Sequence, residues 1–188
     1  CSSHGRSHHI VSAYFQNSRC DVSSMVSPPR FNHSSLTRIT VSTVGVGIKK
    51  DDVDAIEWAA KELDVYLAWS LHSSVPKHRS EIMPINDKYS IDSLIPKLKK
   101  YYDQTKLPIF IEWICLEENM TDEHAKELIK IMKKVPSKLN LIEFNPLANK
   151  DFKPASQEKI DKFSKTIQDS GFLSLFRRSR GRDINASC

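Results

Sequence analysis

Four apolar runs of the sequence end in, or carry, polar side chains of the kinds that bind ligands. These side chains offer hydroxyl, imidazole, carboxylate, thiol and amide groups: Ser42, Thr43, Ser70, His72, Glu112, Cys115 and Asn145. Taken singly, each residue has an ordinary structural explanation, because hydroxyls cap helices, single histidines usually lie on the surface and a buried cysteine is usually an inert small hydrophobe. Their repeated position at strand ends favours a ligand site, but the spacing does not identify the ligand.

Several familiar catalytic patterns are missing. The sequence has no P-loop and no Ser-His-Asp arrangement, and Gly45 and Gly47 lack the third glycine of a dinucleotide-binding turn. The cysteines are too widely separated to form a CxxC pair: Cys1, Cys20, Cys115 and Cys188. This spacing indicates reduced thiols and disfavours a zinc or iron–sulfur site built from them.

The polar residues are embedded in a βα alternation. Short apolar runs at 39–43, 65–70, 108–115 and 139–144 are typical of strands in a parallel sheet that is covered by helices. A further run at 172–176 is predicted to be an edge strand. Because the carboxyl ends of parallel strands form the ligand-binding rim of such folds, the polar residues are expected to meet there.

The helices between these strands have readable stripes and caps. One apolar stripe covers 53–63, a second begins after Ser90 and is predicted to bend near Pro96, and a third follows Thr121 as N-cap. The fourth helix is expected over 156–170, with Gly171 as its left-handed stop. The pattern predicts an α/β fold.

Composition divides the chain near residue 38. Residues 1–37 contain ten Ser, four His, three Arg, one acidic residue and no Lys, which predicts a segment of low order; an organelle transit peptide is the alternative. A metal site at His4, His8 and His9 is disfavoured against a disordered linker. The chain of 188 residues carries a net charge of +5, which favours polyanionic partners, and it has no apolar run long enough to span a bilayer. The scattered cysteines and the lack of a signal peptide predict a cytoplasmic protein, or an organellar one if a transit peptide is present.

Several motifs then occur in a characteristic order over 38–188. They are RITVSTVGV at 38–46, AWSLH at 68–72, Arg79 with EIMPIN at 81–86, NLI at 140–142 with Asn145, and RRSRG at 177–181 with ASC at 186–188. In these motifs the sequence resembles the radical S-adenosylmethionine (SAM) family of adenine-C2 RNA methyltransferases, RlmN and its antibiotic-resistance relative Cfr.

The resemblance implies a partial (βα)6 barrel, of which this chain supplies the last four βα units, with SAM and a 4Fe–4S cluster as cofactors. By motif position the SAM-binding residues would be Ser42, Ser70, Leu71, His72 and Asn145. Cys188 would be the cysteine that carries the methyl group to carbon 2 of adenine in 23S rRNA, with transfer RNA as a further substrate and carbon 8 as an open alternative. The RNA-binding residues would be Arg177, Arg178, Arg180 and Arg182. An electron donor of the flavodoxin type is the implied protein partner.

The sequence also departs from the family. The CxxxCxxC loop that binds the cluster and the Gly-Glu SAM motif should precede Arg38, and residues 1–37 contain neither. From the sequence we therefore expect no metal-binding residues in this chain. We therefore expect a C-terminal fragment that is inactive alone. The alternative is a catalytically dead relic or an RNA-binding module. An unrelated barrel of aldolase type would need a lysine at a strand end, and none of the four rims offers one.

Overall fold

A parallel five-stranded sheet forms the centre of the molecule. The computed structural model describes residues 40–45, 65–145 and 152–177. The strands lie side by side in chain order and every neighbouring pair is parallel. They are β1 (Thr40–Thr43), β2 (Tyr66–Ser70), β3 (Ile109–Cys115), β4 (Ser137–Glu143) and β5 (Ser174–Arg177). The predicted α/β fold and the edge position of the last strand are confirmed.

Helices connect the strands. They are α1 (Pro76–Ile82), a 3-10 turn (Pro84–Asp87), α2 (Ile91–Thr105), α3 (Asp122–Lys134) and α4 (Gln157–Asp169). Thr121 is confirmed as the predicted N-cap, and Ser90 and Ser156, where helices are predicted to begin, also accept a hydrogen bond from a backbone N–H in the first turn. Gly171 has the predicted left-handed conformation, with φ of 87°. α2 includes Pro96, and the bend of the helix predicted there stays a prediction. The helix predicted at 53–63 lies outside the described residues.

The helix preceding residue 83 was not expected, because its sequence lacks an apolar stripe. α1 has one buried side chain, that of Arg79. Its formation is favoured by Pro76 in the first turn, whose fixed φ suits a helix start. α1 is therefore held in the fold by the polar contacts of Arg79 and not by an apolar face.

The apolar core lies between one face of the sheet and the helices. Residues of β3 alternate strictly: Ile109, Ile111, Trp113 and Cys115 are buried, whereas Phe110, Glu112 and Ile114 are half-buried on the other face. α2, α3 and α4 cover the core face with Leu98, Leu128 and Phe163 among their buried residues. The second face of the sheet therefore carries the polar Glu112 between two apolar side chains, those of Phe110 and Ile114. None of the helices in the described ranges combines the length and apolarity of a membrane span.

Candidate functional site

A row of polar side chains crosses the sheet face opposite the helices. Ser70, Glu112 and Asn140 are register partners on β2, β3 and β4. Their chain neighbours pack into the core, so by strand alternation these three side chains share the other face. Ser42 on β1 joins them, since its Oγ donates a hydrogen bond of 3.0 Å to Glu112 Oε2. Two of the residues singled out from the sequence, Ser42 and Glu112, are therefore in direct contact although 70 positions separate them.

His72 follows β2 in a left-handed conformation, with φ of 58°. The backbone N–H groups of Leu71 and His72 both donate to the carbonyl oxygen of Glu112, at 3.1 and 3.3 Å, and this holds the turn against β3. His72 Nδ1 accepts a hydrogen bond of 3.2 Å from the backbone N–H of Ile114, which leaves the proton on Nε2. Burial, with a smaller contribution from the charge of Arg79, lowers the pKa of His72 to about 4. The imidazole is therefore a neutral, fixed hydrogen-bond donor at physiological pH.

Arg79 of α1 ties the strand ends together. Its side chain is fully buried, and its five N–H groups match five acceptors. The acceptors, at 2.6 to 3.5 Å, are the Asn86 side-chain oxygen and the backbone carbonyls of Val44, Ser70, Leu71 and Tyr89. Val44 follows β1, whereas Ser70 and Leu71 end β2, so one guanidinium fixes two adjacent strand ends.

The charge of Arg79 is balanced by dipoles. In the described part of the chain no carboxylate pairs with it, and its guanidinium carbon lies 5.9 Å from the ring centroid of Trp69. Desolvation lowers the pKa of Arg79 to about 10, which leaves it charged near neutrality. Asn86 is fixed in turn, because its Nδ2 donates to Pro76 O at 3.1 Å and to Ser80 Oγ at 2.8 Å. Sequence reasoning gave Arg79 no role of its own; the signal was a single arginine in a segment without an apolar stripe.

The other predicted site residues are distributed differently. The side chain of Leu71 lies in the core, so only its backbone reaches the rim. Asn145 is half-buried just past β4, and Arg177 is exposed at the end of β5 beside Ile142 of β4. The remaining predicted residues lie outside the described residues: Arg178, Arg180, Arg182 and Cys188.

Cys115 belongs to the core and not to the polar face. It is 1% exposed, and burial is the main cause that raises the pKa of its thiol to about 12. The thiol is therefore protonated near neutrality, which agrees with the inert role favoured from the sequence.

Comparison with solved structures identifies the fold. The chain is similar to a radical SAM methyltransferase from Sphaerobacter thermophilus, with 32% identity and a TM-score of 0.72, over 80% of this chain and 43% of that one. This similarity supports the radical SAM superfamily. A domain of pyruvate-formate lyase-activating enzyme from Bacteroides vulgatus, at 12% identity and a TM-score of 0.58, matches 75% of this chain and 81% of its own, and shows the fold alone. No protein-family model matches the chain.

The radical SAM fold implies two cofactors, which the described residues fit unequally. Hydroxyls, a carboxylate and an amide on one face, with the neutral imidazole of His72 after β2, suit the ammonium and ribose groups of SAM. An iron–sulfur cluster needs several thiolates, and within 40–45, 65–145 and 152–177 the one free cysteine is the buried Cys115. The described part of the chain therefore fits SAM and does not supply the cluster ligands. The chain spans less than half of the length of the Sphaerobacter protein.

Proposed function

We propose that the chain is the C-terminal part of a radical SAM methyltransferase that methylates carbon 2 of adenine in 23S rRNA, with transfer RNA as a second substrate. The observation that carries the proposal is the polar row formed by Ser42, Ser70, Glu112 and Asn140. It lies near the neutral His72, at the edge of the sheet where βα folds bind ligands. The similarity to a radical SAM methyltransferase supports the reaction class.

SAM would supply the methyl group, and the residues of this chain would bind and orient it. The Glu112 carboxylate attracts the cationic end of SAM, and the Ser42 hydroxyl keeps one carboxylate oxygen in place. His72 contributes a neutral N–H, so it adds no repulsion against the positive sulfonium. The positive charge of Arg79 is held among its five acceptors, and its donors are not available to the ligand.

SAM binding can be measured on the chain itself by equilibrium dialysis with labelled SAM. Glu112→Gln should weaken binding about tenfold, because it replaces a charge-assisted contact of about 1.4 kcal/mol or more by a neutral one. Glu127→Gln is the matched control, since Glu127 lies on the surface of α3 and pairs with Lys130. Equal affinities for the wild-type chain and Glu112→Gln would contradict the placement of SAM at this face.

The RNA product tests the finer part of the proposal. Nucleosides from ribosomal and transfer RNA of a strain that lacks the gene should have lost 2-methyladenosine, as measured by mass spectrometry. Loss of 8-methyladenosine instead would assign the carbon-8 reaction. Unchanged levels of both would contradict an RNA methyltransferase of this type.

Cys188 and the basic C-terminal segment enter as proposals by motif position. In the complete protein, Cys188→Ala and Cys188→Ser should both abolish methyl transfer while SAM binding is retained, because the polar row is unchanged. Arg177, Arg178, Arg180 and Arg182 would contact RNA phosphates, and a flavodoxin-type protein would donate electrons. Methyl transfer by either Cys188 variant would contradict its assignment.

A non-catalytic RNA-binding module is the second candidate. The cysteine content of the described residues favours it, because a cluster needs several thiolates and Cys115, the one cysteine in these ranges, is buried. The nucleoside analysis above separates the two, because only a methyltransferase makes 2-methyladenosine. Anaerobic reconstitution of the chain with iron and sulfide tests the absence of cluster ligands, which both candidates share. A colourless product that still binds RNA is expected for the chain alone, whereas a brown protein with stoichiometric iron and sulfide would contradict our account of the missing ligands.

A further inference from the structure

A second polar cluster lies on the helix side of the sheet. It joins Ser73, which follows β2, to His78 of α1 and to His124 in the first turn of α3. The three facing atoms form a nearly equilateral triangle: His124 Nε2 is 3.1 Å from Ser73 Oγ and 3.2 Å from His78 Nδ1, and His78 Nδ1 is 3.3 Å from Ser73 Oγ. The polar row described above does not use any of these atoms.

The triangle has the dimensions of one face of a tetrahedral metal site. With metal–nitrogen distances of about 2.0–2.1 Å, two ligand nitrogens on one tetrahedral ion lie about 3.3 Å apart. If both imidazoles point at such an ion, their ring centroids lie about 5 Å apart, and the centroids of His78 and His124 are separated by 5.0 Å. Two nitrogens on a direct line towards each other at 3.2 Å would place the centroids about 5.5 Å apart.

Neighbouring groups leave lone pairs at the centre of the triangle. His124 Nδ1 lies 2.8 Å from Thr121 Oγ1, so with its proton donated to that hydroxyl Nε2 is unprotonated. The Ser73 hydroxyl donates to Val75 O at 3.2 Å and accepts from the Val75 backbone N–H at 3.2 Å, so one oxygen lone pair remains for the two rings.

We propose that Ser73, His78 and His124 bind a divalent transition-metal ion of the Zn²⁺ class. Imidazole nitrogens are ligands that such ions prefer, whereas Mg²⁺ and Ca²⁺ prefer carboxylates and carbonyls, which this cluster lacks. Within the described residues no three His, Cys, Asp or Glu side chains converge, so a hydroxyl occupies the third corner and water the fourth. His78 is half-buried and gives the ion access from solvent.

The bound ion would cross-link two helices behind the rim. His78 precedes Arg79 on α1, and His124 lies in the first turn of α3. The metal would therefore couple Arg79, which holds the ends of β1 and β2, to the helix that follows β3. This role does not depend on the identity of the ligand on the opposite face. The competing interpretation is a metal-free network in which one ring donates its N–H to the other.

Zn²⁺ titration of the full chain, followed by long-range ¹H–¹⁵N NMR of the imidazoles, separates the two interpretations. We expect the nitrogens of His78 and His124 to shift together and saturate at one ion per chain. A control variant with glutamine at the histidines of residues 1–37 should behave in the same way; it changes His4, His8, His9 and His33. Shifts confined to those four histidines, or a His78–His124 pair that does not respond to Zn²⁺, would overturn the proposal.

His78→Gln provides the second measurement, because a half-buried position on α1 tolerates glutamine better than the buried His124 does. Outer-shell partners alone are worth about 10- to 100-fold in metal affinity, so loss of a ligand should weaken Zn²⁺ binding at least about tenfold. Zn²⁺ should also raise the thermal midpoint of the wild-type chain and leave that of His78→Gln unchanged. Equal stabilisation of both proteins would refute the site.

Discussion

Replacement of Arg79 by lysine tests whether the buried guanidinium holds the strand ends in place. The guanidinium uses five N–H groups on five acceptors, whereas a lysine ammonium has three protons at one point. At least two buried acceptors therefore lose their donor, and each loss costs about 1–3 kcal/mol. We expect Arg79→Lys to lower the free energy of unfolding by about 3 kcal/mol, a large part of the 5–15 kcal/mol typical of a domain.

Urea denaturation followed by tryptophan fluorescence measures this loss, because Trp69 lies directly beneath Arg79. With a slope of about 2 kcal/mol per M for a protein of this size, the midpoint should fall by about 1.5 M. Arg177→Lys is the matched control; Arg177 is exposed at the end of β5, and its replacement should change stability by less than about 0.5 kcal/mol. If Arg79→Lys shifts the midpoint no more than Arg177→Lys does, the buried Arg79 contributes no more to stability than a surface arginine, and our reasoning fails.

Three further predictions follow from burial and backbone geometry. Burial lowers the pKa of His124 from 6.5 to about 4, so between these values the unfolded chain binds a proton that the folded chain does not. His124 should therefore contribute a fall in stability of about 3 kcal/mol as pH drops from 6.5 to 4, in addition to the contribution of His72, whose pKa is lowered likewise; a titration of urea midpoints in His124→Asn should lose the His124 part and keep the His72 part. Cys115, whose thiol has a pKa of about 12, should resist iodoacetamide in the native chain and react in urea; peptide mass mapping that finds it alkylated in the native chain would contradict its burial. Gly45→Ala should cost at least about 1 kcal/mol more than Gly171→Ala in thermal unfolding, because both glycines have positive φ but only at Gly45 would the new Cβ lie 2.7 Å from Leu94 Cδ2; equal losses would show that Leu94 gives way freely.

Periodicity and capping rules were sufficient for most of the fold. The strand at 108–115 and the helix capped by Thr121 were predictable because apolar alternation and side-chain caps act locally. α1 was not predictable in this way. It buries an arginine instead of an apolar stripe, and its partners lie on two strands and a later turn, so nothing within its seven residues reveals why it forms.

The candidate site was predictable as a location but not as a set of contacts. The rule that ligands bind at the carboxyl ends of parallel strands placed Ser42 and Glu112 at one edge, and their hydrogen bond agrees with it. The lowered pKa of His72 depends on its burial and on the nearby Arg79, neither of which is readable from residue spacing. The imidazole pair of His78 and His124 was not predicted for the same reason: 46 positions separate the two residues, and only the folded chain brings them within 3.2 Å.

The acceptors of Arg79 bear on how much sequence change this part of the fold tolerates. Four of the five are main-chain carbonyl oxygens, which every amino acid supplies, and only Asn86 contributes a side chain. The side chains at 44, 70, 71 and 89 can therefore be exchanged without removing any acceptor from the guanidinium. Side chains at these strand ends can therefore vary while the backbone beneath them stays fixed, with most of the constraint on sequence concentrated in Arg79 and Asn86.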